Sequence, residues 1–109
     1  MRTTVLAVMI GLAFPVIAAA QGVKVTKGAE VYAAQKCALC HSIGDKGNKK
    51  GPLDGVATKL KTDEIRSWIT DAKGMAAKTK ATRKPEMKAY ALPKEDVEAL
   101  AAYLQTLKK

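Results

Sequence analysis

The chain has 109 residues, which is enough for one domain. It carries 19 Lys and Arg residues against 10 Asp and Glu, a formal net charge of +9. A basic surface favours acidic proteins, anionic lipids or nucleic acid as partners, or it serves only solubility. The export signal described next argues against nucleic acid, which an exported protein does not meet.

The first twenty residues have the pattern of a secretory signal peptide. Arg2 supplies the positive start, residues 5–17 are apolar, and the alanines at 18–20 are the small residues that signal peptidase needs. We expect cleavage after Ala20, which would leave residues 21–109 as one domain with a net charge of +8. The alternative is an uncleaved membrane anchor, although the apolar run is shorter than the about 20 residues of a spanning helix.

The remaining domain is poor in large apolar side chains. Its aromatic residues are Tyr32, Trp68, Tyr90 and Tyr103, and large aliphatic residues are scarce in 44–61 and absent from 76–85. A domain of this size buries only about 60–65% of its unfolded surface and is marginally stable alone. The composition therefore predicts that a large apolar group completes the core.

The first predicted helix runs from Lys27 to about Lys36. Thr26 is a suitable N-cap, and Glu30 lies near the positive end of the helix. Gly28 and Tyr32 are four residues apart and share a face. The glycine would let another backbone approach closely, with the tyrosine packed beside it.

Residues 37–41 read Cys-Ala-Leu-Cys-His, the C-x-x-C-H attachment site of a c-type haem. Cys37 and Cys40 would form thioether bonds to the haem vinyl groups, and His41 would ligate the iron. A redox-active disulfide normally opens a helix after a strand, and no βαβ pattern is present. A zinc site needs four ligands, but His41 is the one histidine of the chain. A structural disulfide across so short a loop would add little stability.

On this motif the chain resembles the class I cytochromes c, small electron carriers with one haem. The resemblance extends over residues 27–107. It implies an all-α, cytochrome c-like fold of three to four helices wrapped around one covalently bound haem c. It also implies that the N- and C-terminal helices cross, with Gly28 and Tyr32 at the crossing.

The next segment, residues 42–55, is a loop by composition, with four glycines and a proline. Within it, Gly51-Pro52-Leu53 resembles the family's loop on the histidine side of the haem. That resemblance implies that the Pro52 carbonyl accepts the free ring N–H of His41 and that Leu53 covers the haem. Such a bond would orient the imidazole and raise its basicity. The alternative is an ordinary turn.

A second helix is predicted to start at Thr62, with acidic residues in its first turn and Gly74 as its stop. Its apolar stripe follows helical spacing and consists of Ile65, Trp68, Ile69 and Ala72. Trp68 is expected in the core. The family resemblance gives it a second possible role, donation of its indole N–H to a haem propionate.

Residues 76–84 are basic and are predicted to form an exposed loop or a weak short helix before Pro85. A last helix is predicted from Pro93, with acidic residues at its start and Lys108 and Lys109 at its end. Its predicted buried stripe consists of Val97, Leu100, Ala101, Leu104 and Leu107, with Tyr103 beside it. Residues 92–107 resemble the closing helix of class I cytochromes c.

The second iron ligand would be a methionine, because a thioether opposite the histidine favours ferrous iron and raises the potential. Met75 and Met87 are the two candidates of the exported domain. The family places its ligand in the loop before the last helix, which favours Met87 over Met75. Lys88 follows Met87, whereas many relatives have proline there.

The expected function is that of a one-electron carrier rather than an enzyme. A gas sensor or haem enzyme needs an open iron position, yet near Met87 the sequence offers only Tyr90 and lysines. The sequence does not separate a free carrier from an electron-accepting subunit of a larger oxidoreductase. We expect a periplasmic monomer that inserts stably into no membrane.

Acidic redox proteins are the expected partners, because a positive surface speeds encounters with negative ones. The lysines that would surround the haem edge are Lys36, Lys46, Lys49 and Lys50, together with Lys78, Lys80 and Lys84.

Overall fold

A computed structural model describes residue 11 and residues 16–109. The predicted signal sequence of residues 1–20 lies largely outside the described residues, and cleavage after Ala20 stays a prediction. In the described part, no helix combines the length and the apolar character that crossing a membrane requires. The elements in chain order are α1 Val16–Ala34, a 3-10 turn Cys37–Leu39, β1 Ser42–Ile43, β2 Lys46–Gly47, α2 Val56–Lys59, α3 Thr62–Thr70, α4 Ala72–Thr79 and α5 Lys94–Leu104.

The fold is helical, which confirms the predicted fold class. The described residues form five helices rather than three to four, because a break at Asp71 divides one predicted helix and α2 adds a single turn. The predicted loop 42–55 also contains a small antiparallel hairpin in which Ser42 pairs with Gly47 and Ile43 with Lys46. Gly44 and Gly47 have φ values of 59° and 102°, which glycine adopts without strain.

The crossing of α1 with α5 is confirmed and forms the centre of the fold. Gly28 is buried there, and a Cβ at this position would overlap the Ala99 carbonyl and the Tyr103 Cβ. The rings of Tyr32 and Tyr103 meet edge to face, with centroids 5.8 Å apart and an interplanar angle of 64°. The missing side chain therefore brings the two helix backbones into contact.

The predicted start of the first helix is wrong. The helix begins at Val16, and Thr26 lies inside it, where its hydroxyl donates to the Gly22 carbonyl at 3.0 Å. A threonine within a helix can bond back to the carbonyl four residues earlier, so it need not act as a cap. The helix ends at Ala34 instead of Lys36, because Lys36 adopts a left-handed conformation with φ 56°.

The predicted second helix is divided into α3 and α4. The N-cap of α3 is Lys61, whose backbone N–H donates to the Glu64 carboxylate at 3.0 Å. The expected stop at Gly74 is wrong, because the Asp71 carboxylate accepts from the Gly74 backbone N–H at 3.2 Å and caps α4. The aspartate thus ends one helix and begins the next. Ala72 consequently belongs to α4.

The hydrophobic core joins α1, α3 and α5. Its buried members are Val31, Ile65, Ile69, Val97, Leu100, Ala101 and Leu104. Pro93 occupies the N-cap of α5, one position before the predicted first turn. The stripe predicted for α5 and the isoleucines of the α3 stripe face this core. The expectation that Trp68 belongs to the core is wrong, because its side chain is only half-buried and is not part of this cluster.

Residues 80–93, here called the connecting segment, join α4 to α5 without regular secondary structure. The predicted exposed stretch 76–84 is helical up to Thr79, and Lys80 then ends α4 with φ 56°. Further along, the Tyr90 backbone N–H donates to the Ile69 carbonyl at 2.9 Å. This bond holds the later part of the segment against α3.

Candidate functional site

A cavity of about 550 Å³ lies beside the helix crossing. Helix α1 contributes Tyr32, α3 contributes Ile65 and Trp68, and α5 contributes Leu100 and Leu104. Pockets for small molecules and cofactors span about 300–1,000 Å³ and are mostly apolar, as this one is. The cavity provides the space for the large apolar group that the composition predicts.

Both cysteines lie at the wall of this cavity. The 3-10 turn places Cys37 and Cys40 on the same stretch of wall, where Cys37 is half-buried, Cys40 is exposed and both thiols are free. The His41 backbone N–H donates to the Cys37 carbonyl at 2.9 Å, which folds the motif into one tight turn. Burial raises the pKa of the Cys37 thiol.

The His41 ring lines the same cavity, and its Nδ1 lies 3.0 Å from the Gly51 carbonyl oxygen. A carbonyl only accepts, so Nδ1 carries the hydrogen and Nε2 keeps its lone pair. Burial lowers the pKa of His41, the Gly51 carbonyl opposes this, and the positive charge of Arg83 adds to the lowering. The result is a neutral imidazole with one nitrogen free for a metal.

The acceptor is Gly51, so the prediction that the Pro52 carbonyl takes this role is wrong. Ser42 and Pro52 form a parallel bridge in which the Ser42 N–H donates to the Gly51 carbonyl and the Leu53 N–H donates to the Ser42 carbonyl. Because successive carbonyls of an extended chain point in opposite directions, the Gly51 carbonyl faces the His41–Ser42 backbone and the Pro52 carbonyl points away from it. Pro52 is exposed and lines no part of the cavity.

The two candidate methionines are in different surroundings. Met87 is half-buried in the connecting segment and lines the cavity together with His41. Met75 is 8% exposed on α4, and it is not among the residues that line the cavity. The structure therefore brings Met87, and not Met75, to the wall that holds the cysteines and the histidine.

Two other predicted site residues, Leu53 and Trp68, line the cavity. Their roles in covering a haem or bonding its propionate stay predictions. The seven lysines expected around the haem edge are all exposed, and Lys36 also borders the cavity.

Two features of the site were missed by sequence reasoning. Arg83 donates from its guanidinium to the Cys40 carbonyl, across 43 positions of sequence that give no local signal of the contact. The Tyr32 hydroxyl is buried without a hydrogen-bond partner among the described residues, and burial raises the pKa of Tyr32 to about 12. The available signal for the second feature was the hydroxyl of a tyrosine predicted on a buried helix face, since such a hydroxyl usually finds a partner.

These side chains fit a haem c group. Two free thiols, a neutral histidine with a free nitrogen and a thioether surround one apolar cavity. Such a donor set matches the covalent attachment and histidine–methionine ligation of cytochromes c.

Comparison with known proteins agrees with this geometry. The family model for cytochrome c matches residues 25–108, most of the chain. The chain belongs to the cytochrome c family. Cytochromes c bind haem and use it for electron transfer, so the predicted family and the haem-based function in its general form are confirmed.

A second comparison finds a much larger relative. The chain is 29% identical over 91 residues to cytochrome c oxidase subunit 2 of Alkalihalophilus pseudofirmus, a match that covers 75% of this chain. It spans only 25% of that relative's length. No solved structure matches this cytochrome c significantly.

Proposed function

We propose that this cytochrome c is a one-electron carrier with a single haem c bound through Cys37 and Cys40, and with His41 and Met87 as axial ligands. One observation carries the proposal: all four side chains line the same apolar cavity. Haem c, when bound, supplies an iron that accepts and releases one electron. The protein contributes the ligands, their orientation and the exclusion of water.

The histidine side of the site, formed by His41, Cys40 and Gly51, is held by hydrogen bonds. The Gly51 carbonyl accepts the Nδ1 hydrogen of His41, which fixes the ring orientation and leaves the Nε2 lone pair available to hold an iron. Gly51 is itself buried, and its carbonyl also accepts from the Ser42 backbone N–H at 3.1 Å. The imidazole therefore keeps its place when the charge of the site changes.

The methionine side of the site, formed by Met87 and the connecting segment around it, would adjust the reduction potential of the iron. Met87 would hold the haem iron through its thioether, a type of ligand that favours the ferrous state. The buried side chains of Ile65, Ile69 and Leu100 keep the cavity apolar, which also disfavours the extra positive charge of the ferric state. Ligation by both His41 and Met87 would keep rearrangement on electron transfer small.

The proposed setting is the periplasm, with acidic redox proteins as partners. The signal-like residues 1–20 and the exposed lysines support this setting. Electron-transfer rates with an acidic donor protein should fall as ionic strength rises, because salt screens exposed charges. Rates that do not depend on salt would contradict the proposed electrostatic docking.

A second candidate function is that of an electron-accepting subunit in a larger oxidoreductase. The similarity to cytochrome c oxidase subunit 2 favours it, although the match covers only part of that protein. Purification from membranes and periplasm at low salt separates the two functions. A free monomer supports the carrier, and stable co-purification with oxidoreductase subunits supports the second candidate.

The decisive test is an absorption spectrum of the protein produced with the haem-attachment machinery, oxidised and reduced, then exposed to carbon monoxide. We expect sharp reduced c-type bands that carbon monoxide leaves unchanged. Met87→Ala should bind carbon monoxide at once, because it opens an iron position. Met75→Ala is the control and should stay unreactive, although truncating a buried methionine costs about 2–5 kcal/mol of stability.

Other outcomes would refute the proposal. A wild-type spectrum that shifts at once with carbon monoxide would indicate an open site and favour a gas sensor or enzyme. Absence of covalent haem would return Cys37 and Cys40 to thiol chemistry. Carbon monoxide binding by Met75→Ala alone would reassign the ligand.

A further inference from the structure

Arg83 connects the two sides of the proposed haem site. It lies in the connecting segment, four residues before Met87. One nitrogen of its guanidinium donates to the backbone carbonyl of Cys40, which immediately precedes His41. An exposed residue of the methionine side thus bonds to the backbone of the histidine side.

The guanidinium makes a second contact on the histidine side. It packs on Gly51 so closely that a Cβ at that position would overlap it. Gly51 provides the carbonyl that accepts the His41 ring hydrogen. Arg83 therefore touches the residue joined to His41 through the chain and the residue joined to it through a hydrogen bond.

The other contacts of the connecting segment show why this one matters. Residues 80–86 are exposed, and the ion pair of Lys84 with Glu86, at 3.1 Å, lies within the segment and anchors it to nothing else. Beyond Met87, the Tyr90 backbone N–H donates to the Ile69 carbonyl. Among the described contacts, Arg83 and Tyr90 thus fix the chain on either side of Met87.

We propose that Arg83 is a positioning residue that clamps the Met87-bearing segment to the histidine side of the haem site. The guanidinium suits this role because it bonds to Cys40 while it packs closely on Gly51, which a lysine ammonium with its single nitrogen does not reproduce. The clamp keeps the thioether in place against competing ligands, and the fixed positive charge beside His41 disfavours ferric iron. This inference rests on the proposed function.

The test uses the haem-loaded protein and two readouts, the rate of cyanide binding to the ferric form and the midpoint potential. Arg83→Gln should bind cyanide about tenfold faster, equivalent to about 1.4 kcal/mol, and its potential should fall. Arg83→Lys should also bind cyanide faster but keep a potential near wild type, because the charge remains. Lys73→Gln is the control: it removes an exposed positive charge of α4, outside the connecting segment and the proposed docking lysines, and should bind cyanide at the wild-type rate.

Each contrary result overturns the clamp. Cyanide binding by Arg83→Gln at the rate of Lys73→Gln would show that Arg83 does not hold Met87. A wild-type rate in Arg83→Lys would show that charge alone suffices. If Arg83→Gln does not fold with haem, Arg83→Lys carries the test. A wild-type protein that binds carbon monoxide at once would refute the proposed function, whereas a six-coordinate wild type with unaffected Arg83 variants would refute only this inference.

Discussion

The helix crossing and the connecting segment border the same cavity but are held by different kinds of contact. At the crossing, Gly28 of α1 meets the backbone of Ala99 on α5, and both residues are buried. The connecting segment is mostly exposed. The contacts nearest to Met87 are the Tyr90 backbone bond to Ile69 and the side chain of Arg83, while Ala81 bonds back to α4 and Leu92 packs on the core.

Because of this difference, we expect the two regions to control different properties of the protein. Contact between two helix backbones is lost only when the helices part, so the crossing should open with the whole fold. A segment with few buried contacts opens locally at lower free energy. Substitutions at the crossing should therefore change the free energy of unfolding, while substitutions in the segment should change ligand exchange at the iron.

The largest effect on stability is expected from Gly28→Ala. The added Cβ would overlap the Ala99 carbonyl and the Tyr103 Cβ, so the helices must move apart. Overpacking of this kind costs about 1–3 kcal/mol or more. Urea unfolding of the haem-loaded protein measures the loss, and the carbon monoxide test should still show closed coordination.

Gly22→Ala is the matched control in the same helix. A Cβ at Gly22 meets nothing within 4 Å. Alanine there should leave the free energy of unfolding nearly unchanged, because cleavage after Ala20 would make Gly22 the second residue of the exported chain, where a helix end contributes little. Equal effects of the two substitutions, or carbon monoxide binding by Gly28→Ala, would remove the distinction between the crossing and the segment.

A smaller effect of opposite sign is expected where the connecting segment begins. Lys80 ends α4 with φ 56°, which a side chain disfavours. Lys80→Gly should raise the free energy of unfolding by up to about 1 kcal/mol, because glycine adopts this conformation readily. Lys78→Gly, inside α4, should instead lower it by about 1 kcal/mol. Thermal unfolding distinguishes them, and destabilisation by both would show that the turn at Lys80 is not strained.

The parts of this fold that sequence could predict depend on local pattern. The apolar stripes of α3 and α5 follow helical spacing, and Gly28 with Tyr32 marked a helix face where another backbone could approach. The C-x-x-C-H motif contains three of the site residues within five consecutive positions. Each of these signals lies within one helix or one turn.

The parts that sequence missed depend on distant contacts. The bridge between Ser42 and Pro52 decides which carbonyl faces His41. The observed acceptor, Gly51, lies one residue before the predicted acceptor, Pro52. The contact of Arg83 with Cys40 likewise has no counterpart in local spacing. Gly74 does not end a helix, because the Asp71 side chain caps a new helix that contains it.

The smallest expected effect concerns Tyr32, which belongs to both the crossing and the cavity. Its ring packs on Tyr103, but its buried hydroxyl lacks a partner among the described residues. Tyr32→Phe keeps the ring and removes the unsatisfied group, so it should be neutral or stabilising by up to about 1 kcal/mol. A clear loss of stability in the haem-loaded variant would show that the hydroxyl is bonded when the cofactor is present.

The pH dependence of the same variant gives an independent check. The pKa of Tyr32 is raised to about 12 from its usual 10, chiefly by burial. Folding therefore favours the protonated phenol: this contribution is complete below pH 10 and is lost as pH rises through 12. Wild type should lose stability relative to Tyr32→Phe across that window in urea unfolding. Parallel curves from pH 9 to 12 would mean that the phenol is as accessible to water in the folded state as in the unfolded one.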